Sequence, residues 1–445
     1  MTLLAPLARL ARATLAGLAR AWSDFWFQSS STTPLEIARI GIGAAVLFHY
    51  AMATPFLFEL WGDDGLMPRA AALDALEDSW MQSVFFYFTA PWQWIAFHAL
   101  FLACCAAFMV GWRTSWVKWI VLVGQISYDY RNSTIAYGAD SIVACLLVIL
   151  CLAPIGRALS LDRVRAVRAA KLDDLQAAVP PYAGPWANAC TRLMQIQMVA
   201  LFFYTGVEKI RGDEWWSGDA VWLALTTYEF YNPVLLNVVA RQYWIVTFVT
   251  YATIMLEIAY PFLIWQRRTR PYLLAAALLL HVMFAVGLGL VYFSFVMILG
   301  HLSFARPEWL HALAAWWKRR IGGMEMVYDG RCALCVRSMA WLLAFDGLGQ
   351  LSTRDLRNGP FPPVPDTRAE DALCLILADG RTLPALAALR HVVLRVPGLW
   401  WLVPLLYLPV VSRLFGQLIH HRLAAERSRP AAGELSVLPR APVQP

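Results

Sequence analysis

The chain has 445 residues, of which 59% are hydrophobic and only 15% charged, and its net charge is +7. A soluble protein of this size is nearer half apolar and a quarter charged, so water is excluded as the solvent for much of this chain. The basic excess does not point to nucleic acid, because Arg and Lys gather in short clusters between apolar runs, where cytoplasmic loops carry them.

Met1 to Gln28 mix Arg9, Arg12 and Arg20 with Leu, Ala, Trp and Phe, and no small-residue cleavage site follows a clean apolar run. The segment 1–33 therefore reads as an interfacial amphipathic helix and not as a signal peptide. About eight apolar segments then approach the ~20 residues that a crossing needs. They are Leu35–Phe58, Pro91–Trp112, Ser115–Tyr130, Gly138–Pro154, Asn188–Gly206, Trp244–Trp265, Pro271–Leu288 and Leu290–Phe304. The third and the last two are short, as tilted or re-entrant segments are. The expected architecture is an all-α polytopic membrane bundle of about eight transmembrane helices over 34–305, in contact with membrane lipid. Arg113 and Lys118, Arg157 to Arg168, Arg267 to Arg270 and Lys318 to Arg320 fall on one side, which should be cytoplasmic, and both termini with it. The connection from Val207 to Tyr243 falls outside. Cys104, Cys105, Cys145, Cys151 and Cys190 lie in apolar surroundings and read as packing residues.

Past a linker at 306–323 the texture changes. Met324 to Tyr328 is strand-like, Val336 to Phe345 helical and Pro360 to Pro365 a proline-rich loop, so 324–425 reads as a separate water-facing domain, with 426–445 a disordered tail.

Ionisable groups at bilayer depth are costly, roughly 2.5–3.5 kcal/mol on insertion scales, so each needs a reason. Arg39, His49, His98, Asp140, Glu257 and His281 are such residues, and a satisfied helix–helix contact is the commoner reason for each. Arg39 with Asp140 is a candidate buried ion pair. Lys209 closes the fifth segment in a stretch of glycine, charge and paired tryptophan, Tyr204-Thr-Gly-Val-Glu-Lys-Ile-Arg-Gly-Asp-Glu-Trp-Trp-Ser-Gly218. A boundary lysine usually snorkels. Once desolvated it loses its proton and becomes a base or nucleophile.

The region from Pro34 to Phe304 resembles the membrane domain of vitamin K-dependent gamma-carboxylases and their bacterial HTTM relatives. The residues that carry the resemblance are Gly206-x-x-Lys209 followed by Trp215, Trp216 and Gly218, the stretch Pro34 to Gly43 around Arg39, Arg131 to Asp140, and His281 through Gly287 and Gly289 to Met297. The resemblance implies that Lys209 deprotonates a reduced vitamin K-like quinone such as menaquinone, whose reaction with oxygen yields a base strong enough to abstract a glutamate γ-proton before carbon dioxide adds. It adds His281 to the catalytic candidates, and Trp215, Trp216 and Arg39 are candidates for holding the cofactor. The large lumenal region of the animal carboxylases is missing, so an exported peptide or protein matured at the membrane is the alternative client, with the bundle as maturation or immunity factor. The implied location is a bacterial inner membrane.

Val327-Tyr-Asp-Gly-Arg-Cys-Ala-Leu-Cys335 places two thiols where a strand passes into a helix. A helix N-terminus lowers a thiol pKa, and the Cys-x-x-Cys spacing lets the second thiol resolve a mixed disulfide formed by the first. Cys332 is the expected attacker and Cys335 the resolver. Asp329 fits two roles, a proton acceptor for a cysteine or a helix cap. Zinc needs a second ligand pair that Cys374 and His391 do not convincingly make, and no metal is expected. Met326 to Leu423 resembles the DCC family, predicted thiol-disulfide oxidoreductases of thioredoxin-like α/β fold, through Asp329, Cys332 and Cys335. The joint expectation is a quinone-dependent carboxylase-like enzyme coupled to a thiol-disulfide module, with a thiol reductant as partner. The two sites fall on opposite sides of a bilayer of about 30 Å, so exchange between them needs a mobile carrier.

Overall fold

The computed structural model describes residues 4–76, 82–169, 183–230, 232–238, 241–322, 324–328, 333–346, 349–355, 373–377 and 381–408. The chain divides into two compact units, Met1–Asp162 with Pro181–Pro307, and Arg163–Pro180 with Glu308–Pro445.

The first unit is helical. Its main helices are α1 (Leu4–Phe27), α2 (Thr33–Ala53), α3 (Pro91–Val110), α4 (Thr114–Arg131), α5 (Gly138–Leu152), α6 (Pro185–Ile210), α7 (Asp213–Ser217), α8 (Tyr243–Leu263), α9 (Arg270–Gly287) and α10 (Val291–His301). A two-residue antiparallel pairing, β1 (Ser30–Ser31) with β2 (Ala183–Gly184), ties the entry of α2 to the entry of α6. Proline at the first turn of α2, α3, α6 and α9 suits a position whose N–H has no intrahelical partner. Among the described residues, four helices are long and apolar enough to cross a membrane: α2 with its continuation to Trp61, α3, α8 and α9. The other four expected spans also form helices, with different physics. Helix α4 carries Lys118, Gln125, Asp129 and Arg131, α5 and α10 have 15 and 11 residues, and α6 carries Arg192, Gln195, Glu208 and Lys209. Polar groups of this kind are tolerated on a bundle interior because neighbouring helices satisfy them.

Arg39 is fully buried, and each of its three side-chain nitrogens is hydrogen-bonded. Its Nε donates to Glu36 Oε2 at 2.8 Å, Nη1 to the carbonyls of Phe108 and Met109 at 2.6 and 2.7 Å, and Nη2 to Leu159 O at 2.7 Å. The other oxygen of Glu36 accepts from the backbone N–H groups of Arg157 and Ala158. The expected Arg39–Asp140 pair does not form. Glu36, three residues before Arg39 on the same helix face, takes its place, and Asp140 instead accepts from Tyr137 N at 2.9 Å. His98 is satisfied as a helix–helix contact, by Tyr128 Oη at 2.6 Å and Thr54 Oγ1 at 2.9 Å. Cys104, Cys105, Cys151 and Cys190 are free and buried, and Cys145 is free and exposed on α5.

In the second unit the segment expected as a linker is a helix, α11 (Pro307–Ile321), whose Trp317 donates to Arg395 O at 2.8 Å. A four-stranded sheet follows, built from β3 (Met324–Tyr328), β4 (Leu351–Asp355), β5 (Leu373–Leu377) and β6 (Thr382–Pro384) in the order β4-β3-β5-β6. β3 and β4 are parallel and joined through α12 (Ala333–Phe345), while β5 runs antiparallel to both β3 and β6 and α13 (Ala385–Arg395) comes after them. Met324, Met326, Val327, Met339, Leu375 and Val392 form its buried core. The expected tail lies outside the described residues.

Replacing Arg39 with leucine leaves the Glu36 carboxylate buried without its cation, a loss of about 3–5 kcal/mol. Thermal unfolding in detergent should show a clearly lower midpoint for Arg39→Leu, and an unchanged midpoint would mean that the pair contributes nothing.

Candidate functional site

Lys209 lies in the last turn of α6, where a cation complements the partial negative charge of exposed carbonyls. Helix α6 packs along α8, and the two come close at Gly206. A Cβ there would sit 2.9 Å from Ile258 Cδ1 and 3.2 Å from Glu257 Cβ. One turn on, and on the same face, Lys209 Nζ lies 2.9 Å from Glu257 Oε2. The Glu257 carboxyl group is buried and lies within hydrogen-bond distance of the amine. The Gly-x-x-Lys spacing thus has a mechanical reading: the glycine brings α8 close enough for the lysine three residues later to meet its carboxylate.

The turn after α6 closes over this pair. Lys209 Nζ lies 5.2 Å from the ring centroid of Trp215, a cation–π contact. Trp216 is exposed and faces elsewhere, with Nε1 donating to Ile210 O at 2.6 Å and its carbonyl accepting from Tyr251 Oη at 2.6 Å. Gly218 ends α7 at φ +86°, in the left-handed region, and a Cβ there would lie 2.9 Å from Thr247 Cγ2. Both the backbone angle and the space require glycine.

One turn further along α8, buried Tyr260 begins a second polar line. Its hydroxyl is 2.7 Å from His301 Nδ1, and His301 Nε2 is 3.3 Å from His281 Nε2. The line ends at His281 Nδ1, which is buried without a partner among the described residues and ringed by Phe202, Phe284 and Phe293 at 5.8 to 6.2 Å between ring centroids. Whichever tautomers it adopts, such a line ends in one orphaned nitrogen.

The structure therefore brings together Lys209 and Trp215, and adds Glu257, Tyr260 and His301 near His281. Arg39 is elsewhere. It sits near the start of α2, which β1 and β2 hold beside the start of α6, whereas Lys209 is 24 residues along α6, roughly 36 Å at 1.5 Å per residue. All its donor nitrogens are spent on Glu36 and on backbone carbonyls. Sequence reasoning did not single out Tyr260 or His301. The signal was present, since Glu257 and Tyr260 share a face of an apolar helix and an intramembrane acid calls for a named partner.

In the second unit, Cys335 is buried in the first turn of α12 and disulfide-bonded. Asp329 and Cys332 lie outside the described residues.

The HTTM domain family matches residues 27–309, more than half of the chain. The chain belongs to the HTTM family. Behind the HTTM domain, residues 326–430 match the DCC1-like thiol-disulfide oxidoreductases, so the chain is an HTTM domain followed by a DCC1-like domain. No curated protein and no solved structure matches the chain.

A bulkier residue at the crossing of α6 and α8 must push the helices of the HTTM domain apart. Gly206→Val is expected to cost about 1–3 kcal/mol, as overpacking does. Thermal unfolding should show the loss with Gly206→Val and a smaller one with Gly206→Ala. Equal stability of all three proteins would refute the close approach.

Proposed function

We propose that the chain is a membrane-embedded, quinone-dependent enzyme of the carboxylase type, in which Lys209 is the base, joined to a thiol-disulfide module that uses Cys332 and Cys335. The observation that carries this reading is the Lys209–Glu257 pair at 2.9 Å on a helix crossing narrowed by Gly206. A lysine that only snorkels extends to water and needs no carboxylate buried opposite it.

The residues around the pair fit a reduced vitamin K-like quinone such as menaquinone. Among the described residues the buried His281 Nδ1 has no hydrogen-bond partner, aromatic rings surround His281, and the Trp215 ring faces Lys209 Nζ. A hydroxylated aromatic ring needs polar atoms at its edge and apolar faces on either side. When bound, the quinol supplies electrons to dioxygen. With the proton of the pair held on the Glu257 carboxyl, Lys209 Nζ is a neutral amine and the atom that accepts a hydroxyl proton. Glu257 stabilises the resulting ammonium from 2.9 Å, and the Trp215 ring shields it from water. The line Tyr260–His301–His281 can hold or pass one proton, because each imidazole offers one donor and one acceptor in its neutral form.

In the DCC1-like domain, the β–α–β unit followed by a β-hairpin and a helix, with strand order β4-β3-β5-β6, supports a thioredoxin-like fold. Cys332 attacks, Cys335 resolves, and Asp329 accepts a proton or caps α12. A thiol reductant resets the pair. The protein belongs in a bacterial inner membrane by this reading, with Lys209 facing outward and the DCC1-like domain in the cytoplasm. An exported peptide or protein is its client.

Oxygen uptake and quinone epoxide formation with reduced menaquinone in nanodiscs test the proposal. Wild type should turn over, and Lys209→Ala should lose about a hundredfold or more, the scale of one acid–base group. Glu257→Gln should lose less, and Cys332→Ser should stall only when thiols are the sole reductant. Turnover that survives Lys209→Ala sinks the assignment of the base. No turnover by wild type with any quinone returns the chain to the reading of a peptide-maturation factor.

A further inference from the structure

Away from Lys209, a cavity of about 210 Å³ opens in the first unit between the end of α2, the end of α4 and the start of α5. Tyr50, Trp61 and Tyr128 form one wall, and His49, Asp129 and Asp140 bring ionisable groups to it. The three rings of the wall pack on one another, with centroids 4.3 Å apart for Tyr50–Tyr128, 4.9 Å for Trp61–Tyr128 and 5.8 Å for Tyr50–Trp61. Tyr128 is fixed in turn by the hydrogen bond from its hydroxyl to His98 Nδ1, and His49 is fixed by stacking on Tyr292 at 4.6 Å.

The charges on this cavity do not balance. Two carboxylates line it against the single imidazole of His49, and no lysine or arginine does. Asp129 accepts from Gln125 Nε2 at 2.9 and 3.2 Å, so a neutral amide is its partner. Asp140 is 5% exposed; its Oδ2 accepts from Tyr137 N, while Oδ1 is buried with no hydrogen-bond partner. A buried carboxylate oxygen facing a cavity with nothing to accept from is costly unless a donor arrives from outside the chain. Metal ions are a poor fit, since among the described residues no three His, Cys, Asp or Glu groups are arranged to hold one.

We propose that this cavity binds a primary ammonium group, with its N–H donors on Asp140 and Asp129 and its charge against the faces of Tyr50, Trp61 and Tyr128. Carboxylates neutralise the charge and accept its hydrogen bonds, and aromatic faces attract a cation. A primary amine is favoured over a quaternary one because the orphaned Oδ1 of Asp140 requires a donor, and a quaternary nitrogen has none. The volume accommodates the ammonium with a short alkyl stem. The same chemistry is presented by a soluble alkylamine and by the ethanolamine headgroup of a lipid. This site rests on observations separate from those behind Lys209 and stands or falls independently of the quinone reading.

The test is calorimetric titration of the full chain in nanodiscs of phosphatidylcholine, a lipid with no primary amine, against empty nanodiscs, with n-butylammonium, tetramethylammonium and n-butanol as probes. n-Butylammonium should bind at least tenfold more tightly than either of the other two. Asp140→Asn should weaken it by at least tenfold. Asparagine keeps an oxygen for Tyr137 N, so the helix start is preserved, and an unchanged unfolding midpoint verifies that. Asp129→Asn should weaken binding in the same direction. Repeating the titration with phosphatidylethanolamine in the nanodisc separates the sources: competition identifies a lipid headgroup as occupant, and no competition identifies a soluble amine. Equal binding of n-butanol or tetramethylammonium, an unchanged affinity in Asp140→Asn, or no binding of n-butylammonium at all would each overturn the proposal. The last outcome would mean that protons alone neutralise the two carboxylates.

Discussion

A guanidinium that has left water needs acceptors for its N–H groups, and the first unit is organised around one that finds four. Arg39 draws in the last carbonyls of α3, the turn at Leu159 and the carboxylate of Glu36, which itself gathers the N–H groups of Arg157 and Ala158. The carbonyls of Phe108 and Met109 belong to a helix C-terminus, where that of Phe108 accepts from the capping Gly111 N–H and both have acceptor capacity left. One ion pair therefore satisfies backbone groups from two separate segments, the end of α3 and the turn 157–159, at the end of the bundle where α2 and α6 begin. In an apolar solvent no water is available to do this instead, which gives the arrangement its weight.

The opposite end is built on another economy. Gly206 removes a side chain so that two helices touch, and Lys209 and Glu257 meet because of it. The remaining polar groups of that neighbourhood lie one turn along α8 and across to α10 and α9. At one end the charges are spent on partners, whereas the Lys209 end leaves His281 Nδ1 without one among the described residues. Unmatched buried groups are where a fold gives up stability to keep chemistry available.

Much of this was legible in the sequence. Apolar runs located the helices to within a few residues, and the order of glycines, Lys209 and the tryptophans gave the candidate site before any coordinates. The number of crossings was less legible, because α4 and α6 mix polar interior faces with apolar outer ones and a window average blurs the two. Partners were harder still. Arg39 was assigned to Asp140 because both are ionisable in apolar runs, but sequence carries no measure of which carboxylate is within reach, and Glu36 on the same helix took it. His301 escaped notice for a related reason: a histidine near the end of a short helix carries no periodic signal, and its meaning comes only from Tyr260 and His281, which fold against it.

Cys145 differs from the other free cysteines in facing outward from the bundle. Cys104, Cys105, Cys151 and Cys190 are closed off by packing, and Cys335 is already oxidised. Among the described cysteines a thiol-reactive reagent applied to the folded protein therefore meets Cys145 first. A spin label or fluorophore introduced without mutagenesis would report from the outer surface of α5.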